Sequence, residues 1–297
     1  MTEKLPRVIL HADNPFKVYF PPISYYCERL KKLNYFHFIK LNERYWQQLN
    51  GDQWFTQQTV KACGGDQILY DIENYLKYFD IHSEVVIIAV SHLGPPQLWA
   101  NPEAASRIGH RSFDPIESIN RIRKTVPPGY IPHFALNWKI YTLRNEIIEL
   151  YNTMKDYHIV TVGFEHLKEV KHTLGFNFHS HINLTHDTVN TVKKREMLGE
   201  HILSHYKSEQ NGKPLVYLLQ AGEIISAWLI ARLTDKIQKA FLIDIGRAID
   251  AFTPNRHYAQ DNLVFNELVG SIEKQLWLSA TGNIQPPRRR TIEKLFI

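Results

Sequence analysis

Leu215-Val216-Tyr217-Leu218-Leu219-Gln220-Ala221-Gly222-Glu223 is the stretch on which the reading of this chain turns. Its unbroken apolar run has the length of a strand buried on both faces. A glycine turn follows at once, and Ile224 to Leu233 then places apolar residues at helical spacing. A strand that turns tightly into a helix is the unit from which parallel sheets are assembled.

The same unit recurs on both sides of it. Phe36-His37-Phe38-Ile39, Val85-Val86-Ile87-Ile88-Ala89-Val90, Ile159-Val160-Thr161-Val162 and Ala240-Phe241-Leu242-Ile243 are further strand-sized runs, the last leading into Asp244-Ile245-Gly246. Between them Asp66 to Phe79 carries Ile68, Leu69, Ile72, Tyr75, Leu76 and Phe79 near a period of 3.6 residues. Leu143 to Met154 repeats that spacing through Ile147, Ile148, Tyr151 and Met154, and Val189 to Tyr206 is similar. The alternation predicts an α/β fold: a mostly parallel sheet with helices on both faces, Rossmann-like in layout. Residues 1–255 are expected to form one domain, with 256–297 a C-terminal helix and basic tail.

Composition bounds the rest. The chain has 297 residues, 44% hydrophobic and 22% charged, which is that of a folded protein rather than a disordered one. With 15 Tyr, 15 Phe and 6 Trp, some aromatic side chains are expected to line a half-wet site. Two cysteines, Cys27 and Cys63, exclude a disulfide framework and a cysteine-based zinc site. Met1 to Arg7 has no apolar core of a signal peptide, and the longest apolar stretches are strand-sized. A cytoplasmic protein without a membrane span is therefore expected, in the host cytoplasm were it phage-encoded. The formal net charge of +5 fits an anionic partner, either a polyanion such as nucleic acid or a small anionic substrate. Gly94 to Pro132, rich in Pro, Gly and Arg, is longer than an ordinary strand-to-helix loop and so a functional candidate. Gln285-Pro286-Pro287 is a break followed by Arg288, Arg289 and Arg290, a solvated tail or a contact with a polyanion.

Ligands of open parallel sheets bind beyond the carboxyl ends of the strands, where helix N-termini and free backbone N–H groups hold phosphate. Ser91-His92-Leu93-Gly94 follows one strand, Gly163-Phe164-Glu165-His166 another, and Gln220-Ala221-Gly222-Glu223 a third. The last is the best phosphate turn, because a glycine there sets a helix N-terminus over the strand end. Neither the dinucleotide G-x-G-x-x-G nor the P-loop pattern occurs in it, which disfavours a dehydrogenase or P-loop NTPase. Asp244-Ile245-Gly246-Arg247-Ala248-Ile249-Asp250 sets two carboxylates around a glycine and an arginine: an acid can hold a ribose, a metal or a proton, and Arg247 can neutralise phosphate, unless the charges serve only a structural ion pair. In Phe178-His179-Ser180-His181, alternation places His179 and His181 on one face of an extended segment, which can bind a metal, although no third ligand stands at a convincing spacing.

The order of these segments resembles the glycosyltransferases of the GT-D fold type, once classed as a domain of unknown function in bacterial surface-glycan assembly. That family has an Arg-x-Gly-Asp-Gly-Glu-like motif after an early strand, a later glycine turn into a helix, and a late Asp-Ile-Gly-His-x-Asp-like segment. Here the corresponding segments are Phe38-Ile39-Lys40-Leu41-Asn42-Glu43-Arg44-Tyr45-Trp46, Ala221-Gly222-Glu223 and Asp244 to Asp250, a resemblance spanning roughly residues 33 to 255. Lys40 stands where the family has Arg, Glu43 keeps the first acid, Tyr45 replaces the second, and Arg247 replaces the late His. The resemblance implies transfer of a sugar from a nucleotide-sugar, a UDP-sugar above others, to a hydroxyl acceptor, with manganese or magnesium left open by the lost acid. Lys40, Asn42, Ser91, Gly163, Gln220, Gly222 and Arg247 are the expected donor-binding residues. Glu43, Asp244, Asp250 and His92 are the expected catalytic candidates. Arg107, Arg111, Arg121, Arg123, Lys124 and Arg288 to Arg290 favour DNA as the acceptor, hydroxymethylcytosine in phage DNA in particular. A surface-glycan or glycoprotein transferase, a hydrolase and a non-catalytic nucleic-acid-binding protein are the alternatives.

Overall fold

The computed structural model describes residues 7–9, 16–41, 45, 64–90, 120, 122–135, 138, 141, 146–170, 178–184, 188–209, 212–222, 224–246 and 248–249. Along them run strands β1 (Arg7–Ile9), β2 (Lys17–Tyr19), β3 (His37–Leu41), β4 (Val86–Val90), β5 (His133–Phe134), β6 (His158–Gly163), β7 (Phe178–Asn183), β8 (Leu215–Gln220) and β9 (Ala240–Asp244). The helices are α1 (Ile23–Lys32), α2 (Gly65–Lys77), α3 (Ile147–Thr153), α4 (Thr188–Lys193), α5 (Arg195–Glu209) and α6 (Ile225–Leu233).

The strands form one nine-stranded sheet in the order β1-β2-β5-β4-β3-β9-β8-β6-β7. Only the β1–β2 pair is antiparallel; every other pair is parallel, so the carboxyl ends of β2 to β9 line one edge. From β6 the chain passes to β7 on one side, and from β8 it passes through α6 to β9 on the other. Connections that diverge in this way open a crevice at the strand ends.

The strands formed where the apolar runs predicted them, and four reach one or two residues further toward their carboxyl ends, to Leu41, Gly163, Gln220 and Asp244. Lys40, Gln220 and Asp244 interrupt the apolar pattern, yet their backbone stays in the sheet, with Leu219 opposite Asp244 and Gly163 opposite Gln220. The helix expected over Val189 to Tyr206 is two helices that meet at Lys194, with the backbone bonds Lys194 N–H to Asn190 O and Leu198 N–H to Lys194 O, both 2.9 Å, carried across the junction. Of the helix expected from Leu143 to Met154, α3 covers Ile147–Thr153 and tightens into a 3-10 turn, Met154–Asp156, while residues 143–145 lie outside the described residues.

Helices α2, α5 and α6 cover one face, and α1 and α3 pair on the other. Alternation along β3 serves both layers: Phe38 meets the Tyr26 and Trp138 rings on the α1 side, while His37 Nε2 bonds Ile237 O at 3.1 Å just beyond α6. Trp228 of α6 donates from Nε1 to Asp71 Oδ2 of α2 at 2.8 Å, tying the two helices together. Two core histidines are held neutral by burial: His37, lowered to about 4, and His133, lowered to about 3 and bonded through Nδ1 to the Tyr26 hydroxyl at 2.7 Å. Among the described residues no helix is long and apolar enough to cross a membrane.

Candidate active site at the carboxyl edge of the sheet

Three adjacent central strands, β3, β9 and β8, each bring a polar residue to their carboxyl ends: Lys40, Asp244 and Gln220. Lys40 Nζ lies 3.4 Å from Asp244 Oδ1, with the two side chains 12% and 4% exposed. The Asp244 carboxylate also accepts the Gly246 N–H. Burial nevertheless pushes its pKa up to about 6, outweighing the downward pull of Lys40 and of that N–H. A charge pair withdrawn from water must recover its lost hydration through mutual attraction. Here the recovery is incomplete, and the acid titrates near neutrality.

Gly246 is required by geometry. Its φ of +52° is a left-handed conformation, and a Cβ at this position would run into Lys40 Nζ. Its carbonyl accepts a hydrogen bond from Gln220 Nε2 at 3.2 Å, and Ile245 N–H reaches Leu219 O at 3.1 Å. The turn after β9 is therefore fastened to the end of β8 and lies under the lysine.

Gly222 makes the turn from β8 into α6, with φ +91° and none of the described residues within 4 Å of where a Cβ would stand. Ser226, inside the first turn of α6, secures this turn in two ways: its Oγ accepts Ala221 N–H at 3.0 Å, and its own N–H reaches Gly222 O at 3.2 Å. The resulting helix N-terminus faces the strand-end edge with its partial positive charge. Gly163 differs. The close approach it permits is filled by the protein, since a Cβ there would meet Leu167 Cδ1 at 2.5 Å and Gln220 O at 2.9 Å.

The structure thus brings Lys40, Gln220, Asp244 and the Gly246 turn together, with Gly222 and Gly163 at the ends of β8 and its neighbour β6. Asn42, Glu43, Ser91, His92, Arg247 and Asp250 lie outside the described residues, as do Arg107, Arg111, Arg121 and Arg288 to Arg290. Arg123 and Lys124 are exposed on the segment that leads into the amino end of β5. Tyr45, which the family resemblance sets in the place of an acid, is fully buried, and burial drives its hydroxyl pKa far up.

A manganese or magnesium ion binds through carboxylate and phosphate oxygens. Asp244 is the carboxylate that the described residues bring to this cluster, and an ammonium already stands beside it. These residues do not fit a divalent ion at that position.

One expectation is corrected. His179 and His181 do not share a face: the pairing of β6 with β7 shifts between Ile159 opposite Phe178 and Val160 opposite Ser180, which makes His179 the extra residue of a β-bulge. His181 Nδ1 pairs with Thr161 Oγ1 at 2.8 Å, whereas His179 stacks on His158 across the sheet. His158 and Glu209, which lie beside His179, carried no local signal, because the three come from different elements.

No protein-family model matches the chain, and no curated protein matches it. Among solved structures, a selenomethionine-substituted domain of unknown function, DUF1792, is similar with 11% sequence identity and a TM-score of 0.46, over 82% of this chain and 97% of that one. A likeness at that level assigns no residue of the site.

Proposed function

We propose that the chain is a glycosyltransferase that moves a sugar from a nucleotide-sugar, a UDP-sugar in the first instance, to a hydroxyl acceptor. The observation that supports this best is the Lys40–Asp244 pair over the left-handed Gly246, at the carboxyl ends of adjacent central strands. In this reading the donor diphosphate lies against the Lys40 ammonium and the turn at Gln220 and Gly222, within reach of the α6 N-terminus. Asn42, Ser91 and Arg247 extend the donor site, and Gly163 shapes it by letting β6 close on β8.

The acceptor hydroxyl oxygen attacks the anomeric carbon. The bond from that carbon to the diphosphate oxygen breaks, and the nucleoside diphosphate leaves with the electron pair. Lys40 and Arg247 stabilise the developing negative charge, the role of a fixed electrostatic clamp. The acceptor proton passes to a base. Asp244, with its pKa raised to about 6, has the basicity such a group needs near neutral pH, and Glu43, Asp250 and His92 are the other candidates for base or sugar-orienting roles.

For the acceptor we favour hydroxymethylcytosine in DNA, flipped from the stack, as in phage DNA hypermodification. The net charge of +5, the basic residues of the Gly94 to Pro132 segment and the Arg288 to Arg290 cluster support a polyanion. A surface-glycan or glycoprotein acceptor is the second reading within the class. A nucleic-acid-binding protein without catalysis is the reading from another class, and it rests on the same basic residues.

A thermal-shift screen against UDP, GDP, CDP and their sugars, with and without manganese, tests the proposal. A ligand that binds only the folded chain raises Tm by mass action. One nucleotude class is expected to raise it, without need of manganese. No shift with any nucleotide up to millimolar concentration overturns the transferase reading in favour of the binding protein.

A further inference from the structure

We propose that the opposite, amino edge of the sheet carries a zinc site formed by His158, His179 and Glu209. His158 opens β6, His179 is the second residue of β7 and Glu209 closes α5. One ligand atom from each lies within 4.8 Å of the other two. His179 Nε2 is 3.3 Å from Glu209 Oε2, and the His158 and His179 rings are parallel, 4.6 Å apart.

The bulge in β7 builds this arrangement. Val160, Ser180 and Tyr217 sit opposite one another in the sheet and face α5, where His205 bonds Ser180 Oγ through Nε2 at 2.8 Å and the Tyr217 hydroxyl through Nδ1 at 2.9 Å. His158, two residues before Val160, points the same way. Regular alternation would send His179, the neighbour of Ser180, to the other side of the sheet. As the extra residue of the bulge it turns to the α5 side instead, onto His158 and Glu209. Re-aiming one side chain is what bulges near functional sites do.

The neighbours favour a ligand as well. Both nitrogens of His205 are engaged, so it stays outside the donor set and holds α5 in place, with Glu209 one turn further along. His158 Nδ1 is out of contact with water and has no hydrogen-bond partner among the described residues. An imidazole nitrogen in that condition gains directly from a metal. Two imidazoles and one carboxylate form a zinc donor set, tetrahedral with a fourth position for water, whereas magnesium and calcium require mostly oxygen. Side-chain rotations that bring the ligand atoms to about 3.4 Å from one another complete a tetrahedron with bonds of about 2.0–2.1 Å.

The length of β6 separates this cluster from Gly163 by about 17 Å. The zinc is thus independent of the donor site, and it clamps the end of α5 to the sheet-edge strand β7.

Titration of zinc chloride into the untagged, metal-stripped full chain by calorimetry tests the proposal. The expected result is one zinc per chain with micromolar or tighter affinity. His179→Ala and the near-isosteric Glu209→Gln are each expected to weaken it more than about tenfold, while His201→Ala, on the exposed side of α5, keeps the wild-type value. Cobalt(II) in place of zinc is expected to give the visible absorption of a tetrahedral site. Zinc at about a hundredfold excess over Kd is expected to raise Tm by about 5 °C. Circular dichroism confirms that each variant is folded, and Glu209→Gln serves if His179→Ala is not. Absence of stoichiometric binding, or binding that a folded Glu209→Gln leaves unchanged, overturns the site.

Discussion

At the carboxyl edge of the sheet, Asp244 is buried beside an ammonium and titrates near 6; at the amino edge, His158, His179 and Glu209 meet in a cluster that water partly reaches. The first cluster is held in place by strand ends and a left-handed glycine, and its charge stands against the preference of the fold. The second involves little buried charge, and its distinctive feature is the aim of one side chain. A ligand at the carboxyl edge therefore acts on the electrostatics of a buried pair, whereas a ligand at the amino edge fastens elements that already touch. Stability given up for a charged site is a common trait of catalytic centres, whereas three protein ligands with a fourth position left to water are the donor count of an open zinc site.

The sharpest way to break this comparison is Lys40→Met. Loss of the cation is expected to lower sugar transfer by about 10²–10³-fold and to remove the donor-induced rise in Tm. Zinc affinity is expected to stay within about twofold of wild type, because the two clusters share no residue. Asp244→Asn is expected to abolish turnover while leaving DNA affinity nearly intact. Donor binding that survives Lys40→Met moves the donor away from the carboxyl edge, and unchanged turnover in Asp244→Asn takes the base role from Asp244 and leaves it to Glu43, Asp250 or His92.

How much of each edge was legible in the sequence follows from how each is built. Lys40 and Asp244 stood out individually, each a charged residue closing an apolar run. Their pairing did not, because it needs β3 and β9 to be neighbours, a fact of strand order that local pattern does not carry. The apolar runs stop short of the strand ends for a related reason: Gln220 and Asp244 break the run while their backbones still pair. Strands β2 and β5, three and two residues long, are too short for any periodicity. Helix α1 leaves a trace in the sequence, with Ile23, Tyr26, Cys27 and Leu30 at helical spacing. The amino edge was the least legible. Alternation assigns His179 to the face of His181, and only the register against β6 creates the bulge that moves it.

The buried acid and the two buried histidines also oppose each other in pH. Asp244 has a folded pKa of about 6 against an ordinary 3.8, so between these values the folded chain binds more protons. Its contribution is fully present below about 4 and is lost as pH rises through 6, a change of about 3 kcal/mol. His37 and His133 act in the other sense. Their folded values of about 4 and about 3 lie below the ordinary 6.5, so stability falls as pH drops from 6.5 toward 4. In the native chain the two trends offset each other between pH 4 and 6. Asp244→Asn removes one of them, and urea unfolding across this range is expected to show a steeper acid loss than wild type. An unchanged pH profile means that Asp244 titrates normally and the buried pair is not under strain.

Gly246→Ala comes next in size. The left-handed backbone and the collision with Lys40 Nζ act together, and the expected loss is about 2 kcal/mol in chemical denaturation, with weaker donor binding because the lysine is displaced. A variant with full stability and full donor affinity places the Lys40 ammonium somewhere other than over this glycine.

Gly222→Ala is the smallest effect and separates two roles for one turn. The backbone here is left-handed as at Gly246, but an added methyl meets none of the described residues within 4 Å. Only conformational strain remains, about 1 kcal/mol of stability. If the diphosphate occupies that open space against the α6 N-terminus, the methyl group intrudes on the ligand and not on the protein. Donor affinity measured by calorimetry is then expected to fall by about tenfold or more, beyond what a folded variant with so small a stability change accounts for. Affinity that holds while stability drops assigns Gly222 to the turn alone, and confines the donor to the side of the edge where Lys40 and Gly246 meet.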